Sequence, residues 1–246
     1  MLLRNGAAVR IAVSSSTFRR PLAGGALTQL EWVERCASLL GADGVLADIA
    51  DFPRTDGEYV AQLRKVAVDL GLVPFGIDAP GLLDPAAGTE SREEVVAVAA
   101  GFGAAVIRTV LPAPGEVPPA TFVETVRAAK ALARAAKGAN VTVLVAAAPG
   151  TLGEDLAGVK HLLKDVDSAW LRAAPSALVA PGAIGPKDRH PAFIATASDD
   201  PAAVAAQRDD AWVILDQPDA AEPWDAAASA VRALRVAAAE HQLERA

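Results

Sequence analysis

Val141-Thr-Val-Leu-Val-Ala-Ala-Ala-Pro-Gly-Thr151 is an apolar, partly β-branched run that ends in three alanines and a Pro-Gly turn. A short continuous apolar run bounded by turn residues is typical of a strand that is buried on both faces, as in parallel sheets. Similar runs occur on either side of it along the chain. The stretch therefore predicts a central strand of a parallel sheet.

The same pattern predicts seven further strands. They are Val9–Ser14, Gly44–Asp51, Leu72–Ile77, Ala105–Val110, Ser168–Ala173, Ala192–Ala197 and Ala211–Asp216. Strands that alternate with helical patterns indicate parallel βα units, and eight such units close a (β/α)8 TIM barrel of the α/β class. An open doubly wound sheet is the alternative, although no Gly-x-Gly-x-x-Gly or Walker sequence supports its nucleotide chemistry.

Capping boxes mark three predicted helix starts, at Thr28–Glu31, Ser91–Glu94 and Thr121–Glu124. In each, the hydroxyl and the carboxylate satisfy backbone N–H groups at the first turn. Pro175–His190 has no apolar periodicity, which predicts that the sixth helix is shortened or replaced by a loop. Pro74 lacks a backbone donor, so the third strand is expected to be short or irregular.

Composition places the chain among globular proteins. Its 246 residues are 52% hydrophobic, carry a net charge of −7 and suit a single domain spanning residues 1–246. No basic stripe indicates nucleic acid. The single Cys36 excludes an internal disulfide and favours a reducing, cytoplasmic setting. Met1–Arg4 is too short for a signal peptide, and Val95–Ile107 is shorter than the roughly 20 residues that a membrane span needs, so no membrane association is expected.

Three segments carry a resemblance to a known family. Leu39-Leu-Gly-Ala-Asp-Gly-Val45 ends the first unit, Gly101-Phe-Gly-Ala-Ala-Val-Ile-Arg108 leads into the fourth strand, and Val141–Thr151 forms the fifth. Together they resemble the xylose isomerase-like TIM barrels, a group of sugar phosphate isomerases and epimerases that includes the endonuclease IV fold. The resemblance covers nearly the whole chain.

The resemblance implies one divalent metal held by a Glu on strand five, an Asp near strand six, a His near strand seven and a Glu on strand eight. In this chain the corresponding positions are Ala146, Ala173 (with Ser176 nearby), about Thr196, and Asp216. A methyl group cannot coordinate a metal. We therefore expect a degenerate member of the group with no metal site and no cofactor.

Polar residues nevertheless remain at the predicted carboxyl ends of the strands, where a barrel builds its site. They are Ser14 to Thr17, Arg19, Asp48, Asp51, Asp78, Arg108, Arg172, Asp199 and Asp216. We predict Asp48 and Asp216 as a catalytic base and acid. Substrate binding is predicted for Ser14, Asp78, Arg108, Arg172 and Asp199, the two arginines being able to hold a phosphate or carboxylate. The alternative is that these groups form mutual salt bridges.

Two functions therefore remain open. One is an isomerase or epimerase that acts on a small sugar, sugar acid, sugar phosphate or polyol without metal. The other is a catalytically inactive barrel that binds a ligand or a partner chain, possible as a homo-oligomer or as a subunit beside an active relative. The alanines favour the second function, and the retained acids and arginines favour the first.

Overall fold

The computed structural model describes residues 9–113, 120–176, 191–206, 212–217 and 220–244. Eight strands appear in these residues. They are β1 (Arg10–Ser14), β2 (Gly44–Asp48), β3 (Val73–Asp78), β4 (Val106–Val110), β5 (Thr142–Ala146), β6 (Leu171–Ala174), β7 (Ala192–Ala195) and β8 (Trp212–Leu215). All eight predicted strands are confirmed, although most are shorter than predicted: β2 ends three residues earlier, β6 begins three residues later, and β5 covers only the first half of Val141–Thr151.

The strands form one parallel sheet in the order β6-β5-β4-β3-β2-β1-β8-β7. Its two outer strands meet at a bridge between Ser176 and Ile194, where the Ile194 N–H donates to the Pro175 carbonyl over 3.0 Å. This contact brings the sheet round to a nearly closed ring. The predicted (β/α)8 TIM barrel is therefore confirmed, and the open doubly wound alternative is wrong.

Helices follow the strands on the outside. They are α1 (Arg19–Ala23), α2 (Gln29–Arg35), α3 (Gly57–Asp69), α4 (Thr89–Phe102), α5 (Ala120–Gly138), α6 (Leu156–Val166), α7 (Pro201–Ala205) and α8 (Pro223–Glu244). Short 3-10 turns occupy Ser15–Phe18, Ile49–Asp51 and Pro85–Ala87, and α2 continues as a π-helical turn over Cys36–Leu40. The prediction that the sixth helix is shortened or replaced by a loop concerns Pro175–His190, of which residues 177–190 lie outside the described part of the chain.

One of the three capping boxes is confirmed. At the start of α2, the Thr28 hydroxyl accepts from the Glu31 N–H, and the Glu31 carboxylate accepts from the Thr28 N–H over 2.9 Å. The box at Ser91 is wrong, because α4 begins at Thr89, before the predicted cap. The side chain of Thr121 lies outside the described part of the chain, so the third box stays a prediction. At α4 the buried Arg92 donates to the carbonyls of the preceding loop, which fixes an earlier helix start than the sequence indicates.

The apolar side chains pack in two groups, one on each face of the sheet. The larger group lies between the strands and the helices. The smaller group comes only from strands and fills the barrel, with the rings of Phe75 and Trp212 4.7 Å apart. The β2–β3 register shifts beside Pro74, as the missing donor predicts.

Two further expectations concern single features. Cys36 is fully buried, and burial raises the pKa of its thiol, as expected of an inert core cysteine. Among the described helices, we find none with the length and apolar character to cross a membrane.

Candidate functional site

The polar residues of the site stand at the ends of strands whose earlier residues fill the barrel. Side chains alternate between the two faces of a strand, so a residue two positions after an interior one points to the same side. Ser14, Asp48, Asp78, Arg108 and Asp216 each follow an interior residue by two positions, namely Ala12, Leu46, Gly76, Val106 and Ile214. The barrel geometry therefore directs five sequence-predicted site residues to its mouth.

Arg108 lies at the centre of this group. Its Nε donates to Oδ1 of Asp78 over 2.8 Å and its Nη2 donates to Oδ2 of the same carboxylate, which makes a bidentate pair. Nη1 donates to Oδ2 of Asp216. Arg108 and Asp78 are both buried. One guanidinium therefore cross-links carboxylates from the ends of β3 and β8.

The serine run after β1 completes this cluster. Ser14 caps the following 3-10 turn, and its Oγ lies 2.8 Å from Oγ of Ser16. Ser16 donates to Oδ1 of Asp216, and Arg108 Nη2 lies within 3.5 Å of Ser14 Oγ. Asp216 thus has a partner at each of its carboxylate oxygens.

A second cluster adjoins the first through Ser15. Its hydroxyl donates to Oδ2 of Asp51 over 2.6 Å and accepts from the Asp48 N–H over 2.8 Å. The Asp48 carboxylate is buried, accepts from the Ala50 N–H and pairs with Arg19 Nη2 at 3.2 Å. The side chain of Arg19 is 55% exposed, against 3% for Asp48, so this ion pair reaches from the buried strand end to solvent.

The electrostatics of the site follow from burial and from the crowding of carboxylates. Burial, with the nearby charge of Asp48, raises the pKa of Asp51 to about 6, although the hydrogen bond from Ser15 opposes the rise. Burial also raises the pKa of Asp78, against the opposing charge of Arg108. Burial lowers the pKa of Arg108, but Asp78 and Asp216 outweigh it and raise the pKa overall, so the guanidinium stays charged.

A cavity of about 380 Å³ opens beside the Asp48–Arg19 pair. Its other walls come from the turns after β2 and β3 and from the start of α4, and they are mainly apolar, with Ile49, Leu82 and Val95 among them. A volume of this size lies within the usual range for small-molecule pockets.

Two predicted binding residues lie apart from these clusters. Arg172 is exposed on β6, and no described contact joins it to Arg108. Asp199 accepts from the Thr196 N–H over 2.7 Å and so stabilises the turn after β7. Conversely, Arg19, Ser15 and Asp51 take part in the site, although the sequence predicted them only as polar residues of the mouth, without a catalytic or binding role. Their positions just after β1 and β2 in the sequence could have indicated that they contribute to the site.

The residues at the implied metal positions do not fit a metal ion. Ala146 and Ala173 are buried at the ends of β5 and β6 and carry no donor atom beyond the backbone. Within the described ranges, no group of three or more His, Cys, Asp or Glu side chains is placed to hold one. Asp216 bonds to Ser16 and Arg108 instead.

Comparison with known proteins gives structural matches only. No family model and no curated protein matches the sequence. In structure, the chain is similar to the 3-keto-D-glucoside 4-epimerase YcjR from E. coli, with a TM-score of 0.71 and 13% identity over 93% of this chain and 99% of that one. It is also similar to a probable 3-DHS dehydratase, AsbF from Bacillus anthracis, with a TM-score of 0.56 and 18% identity over 68% of this chain and 62% of that one.

A third similar structure is a fusion of a xylose isomerase-like TIM barrel with 4-hydroxyphenylpyruvate dioxygenase. Its TM-score is 0.71 at 15% identity, over 97% of this chain and 44% of the fusion protein. At these identities the likeness concerns the fold. The eight-stranded ring and these three matches together show that the chain has the xylose isomerase-like TIM-barrel fold.

Proposed function

We propose that this barrel binds a small sugar or polyol at its mouth without a divalent metal ion. The observation that carries the proposal is the 380 Å³ cavity, in which the Asp48–Arg19 ion pair faces mainly apolar walls. Pockets for small ligands combine apolar walls with a few placed polar groups. A sugar matches both, since its hydroxyls can bond to a carboxylate and a guanidinium while its C–H faces pack on aliphatic side chains.

The proposal favours binding over catalysis by the two predicted acids. Both oxygens of Asp48 accept hydrogen bonds, from Ala50 and Arg19, and both oxygens of Asp216 accept hydrogen bonds, from Ser16 and Arg108. Each carboxylate is therefore occupied by partners within the protein and would have to give up one of these hydrogen bonds before it could contact a substrate. The contacts therefore support the salt-bridge alternative for these residues.

Ligand binding is tested by thermal shift against sugars, polyols and sugar phosphates in the presence of a chelator. A ligand that binds the folded state raises Tm. Gly81 lines the cavity, and a Cβ added there meets no atom within 4 Å. We expect Gly81→Val to leave the melting temperature almost unchanged but to abolish the ligand-induced shift.

Gly138→Val is the matched control, since a Cβ added at Gly138 also meets no atom within 4 Å outside its own helix turn, and Gly138 lies at the end of α5, outside the residues that line the cavity. This variant should keep the full ligand response. If no compound in the three classes shifts Tm, or if Gly81→Val responds like the wild type, binding in this cavity is wrong.

One observation favours a second function, a metal-independent isomerase or epimerase. Asp51 has a pKa of about 6 and is partly exposed at the mouth, so it could exchange a proton near neutral pH. In this mechanism Asp51 would take a proton from the carbon beside a sugar carbonyl. The reaction would then be completed by return of a proton to carbon, a step in which Asp48 and Asp216, predicted from the sequence as base and acid, would take part.

Deuterium incorporation from D2O into a C–H position of the bound sugar, followed by NMR, tests the second function without knowledge of the product. Catalysis by these acids predicts that Asp51→Asn, Asp48→Asn and Asp216→Asn each slow the exchange at least tenfold. Exchange that persists at the wild-type rate in all three variants would exclude these carboxylates. If a ligand raises Tm but shows no deuterium exchange, the first function, ligand binding without catalysis, is the one supported.

A further inference from the structure

We infer that the ligand of the cavity beside the Asp48–Arg19 pair is a sugar that carries an apolar substituent, as the alkyl or aryl group of a glycoside does. The sugar ring lies at the ion pair, and the substituent occupies the part of the cavity between the turn after β3 and the start of α4. The inference rests on the proposed function and narrows it, since it states which sugars the cavity selects.

Polar side chains are unevenly distributed around the cavity. Arg19 begins α1 and Asp48 ends β2, so both charges come from the side of β1 and β2. The remainder of the lining beyond Ile49 and Ala50, called the β3 side here, consists of Ala79, Pro80, Gly81, Leu82, Ala87, Ser91 and Val95. Ser91 is the one polar side chain in that group, and it is exposed. The β3 side therefore offers a ligand mainly hydrocarbon.

The backbone of the β3 side is also occupied within the protein. The carbonyls of residues 79–82 all accept hydrogen bonds. Their donors are, in order, the Leu82 N–H, the Thr109 hydroxyl, the Asp84 N–H and Nε of Arg92, over 3.3, 3.3, 3.1 and 2.9 Å. A hydroxyl that left water for this wall would lose hydrogen bonds, whereas a CH2 group would gain from the same transfer.

The β3 side is held in place by a buried arginine. Arg92, on α4, donates to the carbonyls of Leu82, Asp84 and Gly88 over 2.9, 2.7 and 2.9 Å. These bonds tie the loop that supplies part of the wall to the helix that supplies the rest. A wall that is already ordered costs little conformational freedom when a substituent packs against it.

The hydroxyls of a free sugar fit this wall poorly. A pyranose carries hydroxyls around the edge of its ring, so a free sugar that filled the cavity would place some of them against the β3 side. Each hydroxyl buried there without a partner weakens binding. When an apolar substituent takes that place, the hydroxyls of the ring stay near Asp48, Arg19 and solvent.

Matched ligands test the inference by isothermal titration calorimetry of the wild-type protein with chelator. The probes are D-glucose, D-galactose and D-mannose, each as the free sugar, the methyl glycoside and the n-butyl glycoside. The butyl group has three more CH2 groups than the methyl group, and each buried CH2 strengthens binding about fourfold, so complete burial predicts a gain of about sixtyfold. For at least one sugar, we expect the butyl glycoside to bind about tenfold or more tightly than the methyl glycoside.

A variant of the wall locates the substituent. Val95→Thr keeps the shape of the side chain but adds a hydroxyl to the β3 side, and it should reduce the butyl-to-methyl affinity ratio about threefold or more. Val98→Thr is the matched control, because Val98 is buried on the same helix but lies outside the residues that line the cavity. It should keep the wild-type ratio. The comparison of ligands on the wild type stands even if a variant fails to fold.

A butyl gain that falls in Val95→Thr and persists in Val98→Thr supports the inference. Equal affinity for the free, methyl and butyl forms of a sugar would overturn it and leave the proposed function standing. A butyl gain unchanged in Val95→Thr, or 1-butanol binding as tightly as the butyl glycosides, would also overturn it. Failure of all the glycosides to bind overturns the inference, and the proposed function falls as well only if the sugar, polyol and sugar phosphate screen is also negative.

Discussion

Replacing Asp51 by asparagine should stabilise the protein at neutral pH. In the folded chain, burial raises the pKa of Asp51 from its ordinary 3.8 to about 6. Between these two values the folded state holds a proton that the unfolded state has lost, so the stability contributed by the neutral acid falls as pH rises from about 4 through about 6. Asparagine cannot ionise, and its carbonyl can still accept the Ser15 hydrogen bond.

The pKa difference corresponds to about 3 kcal/mol against the charged form. Asp51 is partly exposed, and solvent screening reduces the expected gain to about 1 to 2 kcal/mol at pH 7.5. At pH 4 the neutral acid and the amide should be nearly equal in stability. The effect of the substitution is therefore expected to grow with pH over this window.

Urea unfolding of the wild type and Asp51→Asn at several pH values from 4 to 7.5 measures the difference. Asp69→Asn is the matched control, because it removes the same charge from an exposed carboxylate on α3. A variant no more stable than the wild type at pH 7.5 would refute the burial argument. A gain of equal size at pH 4 and 7.5 would show a cause other than ionisation.

Two further substitutions test the packing inside the barrel and the helix cap at the start of α2. Gly76→Ala should destabilise the barrel by about 1 to 3 kcal/mol in urea unfolding, because the new Cβ would lie 2.6 Å from side-chain atoms of Leu46 and Val106 inside the ring. An unchanged midpoint would mean that the interior is looser than these distances imply. Thr28→Ala removes the capping hydroxyl that pairs with Glu31 and should cost about 1 kcal/mol by the same measurement. A loss below a few tenths would show that water replaces the cap.

Strand positions could be predicted because buried parallel strands are apolar throughout, as Val141–Thr151 illustrates. Helix starts were harder to predict. At α2, the hydrogen bonds of the Thr28–Glu31 box are enough to set the helix start, and they can be predicted from the local sequence. The start of α4 depends instead on contacts between Arg92 and the loop that precedes the helix. Local motifs mark where a helix can begin, and tertiary contacts decide where it does.

The site was predictable only in part. Alternation within each strand indicates that Asp48, Asp78, Arg108 and Asp216 reach the mouth, since each lies near a strand end. It does not indicate their partners. Which carboxylate takes which guanidinium nitrogen depends on the registers between strands, and these become visible only once the sheet is assembled.

The closure of the ring between β6 and β7 affects where local unfolding of the barrel begins. Other neighbouring strands pair at three or more residues in register, while the strand pairing between β6 and β7 in the described residues is one bridge, from Ser176 to Ile194. Local opening of the barrel should therefore begin between β6 and β7, because the paired stretch of strand is shortest there. The strands from β1 to β4, which carry most of the Arg108 contacts, would then keep their pairing while the β6–β7 side opens transiently.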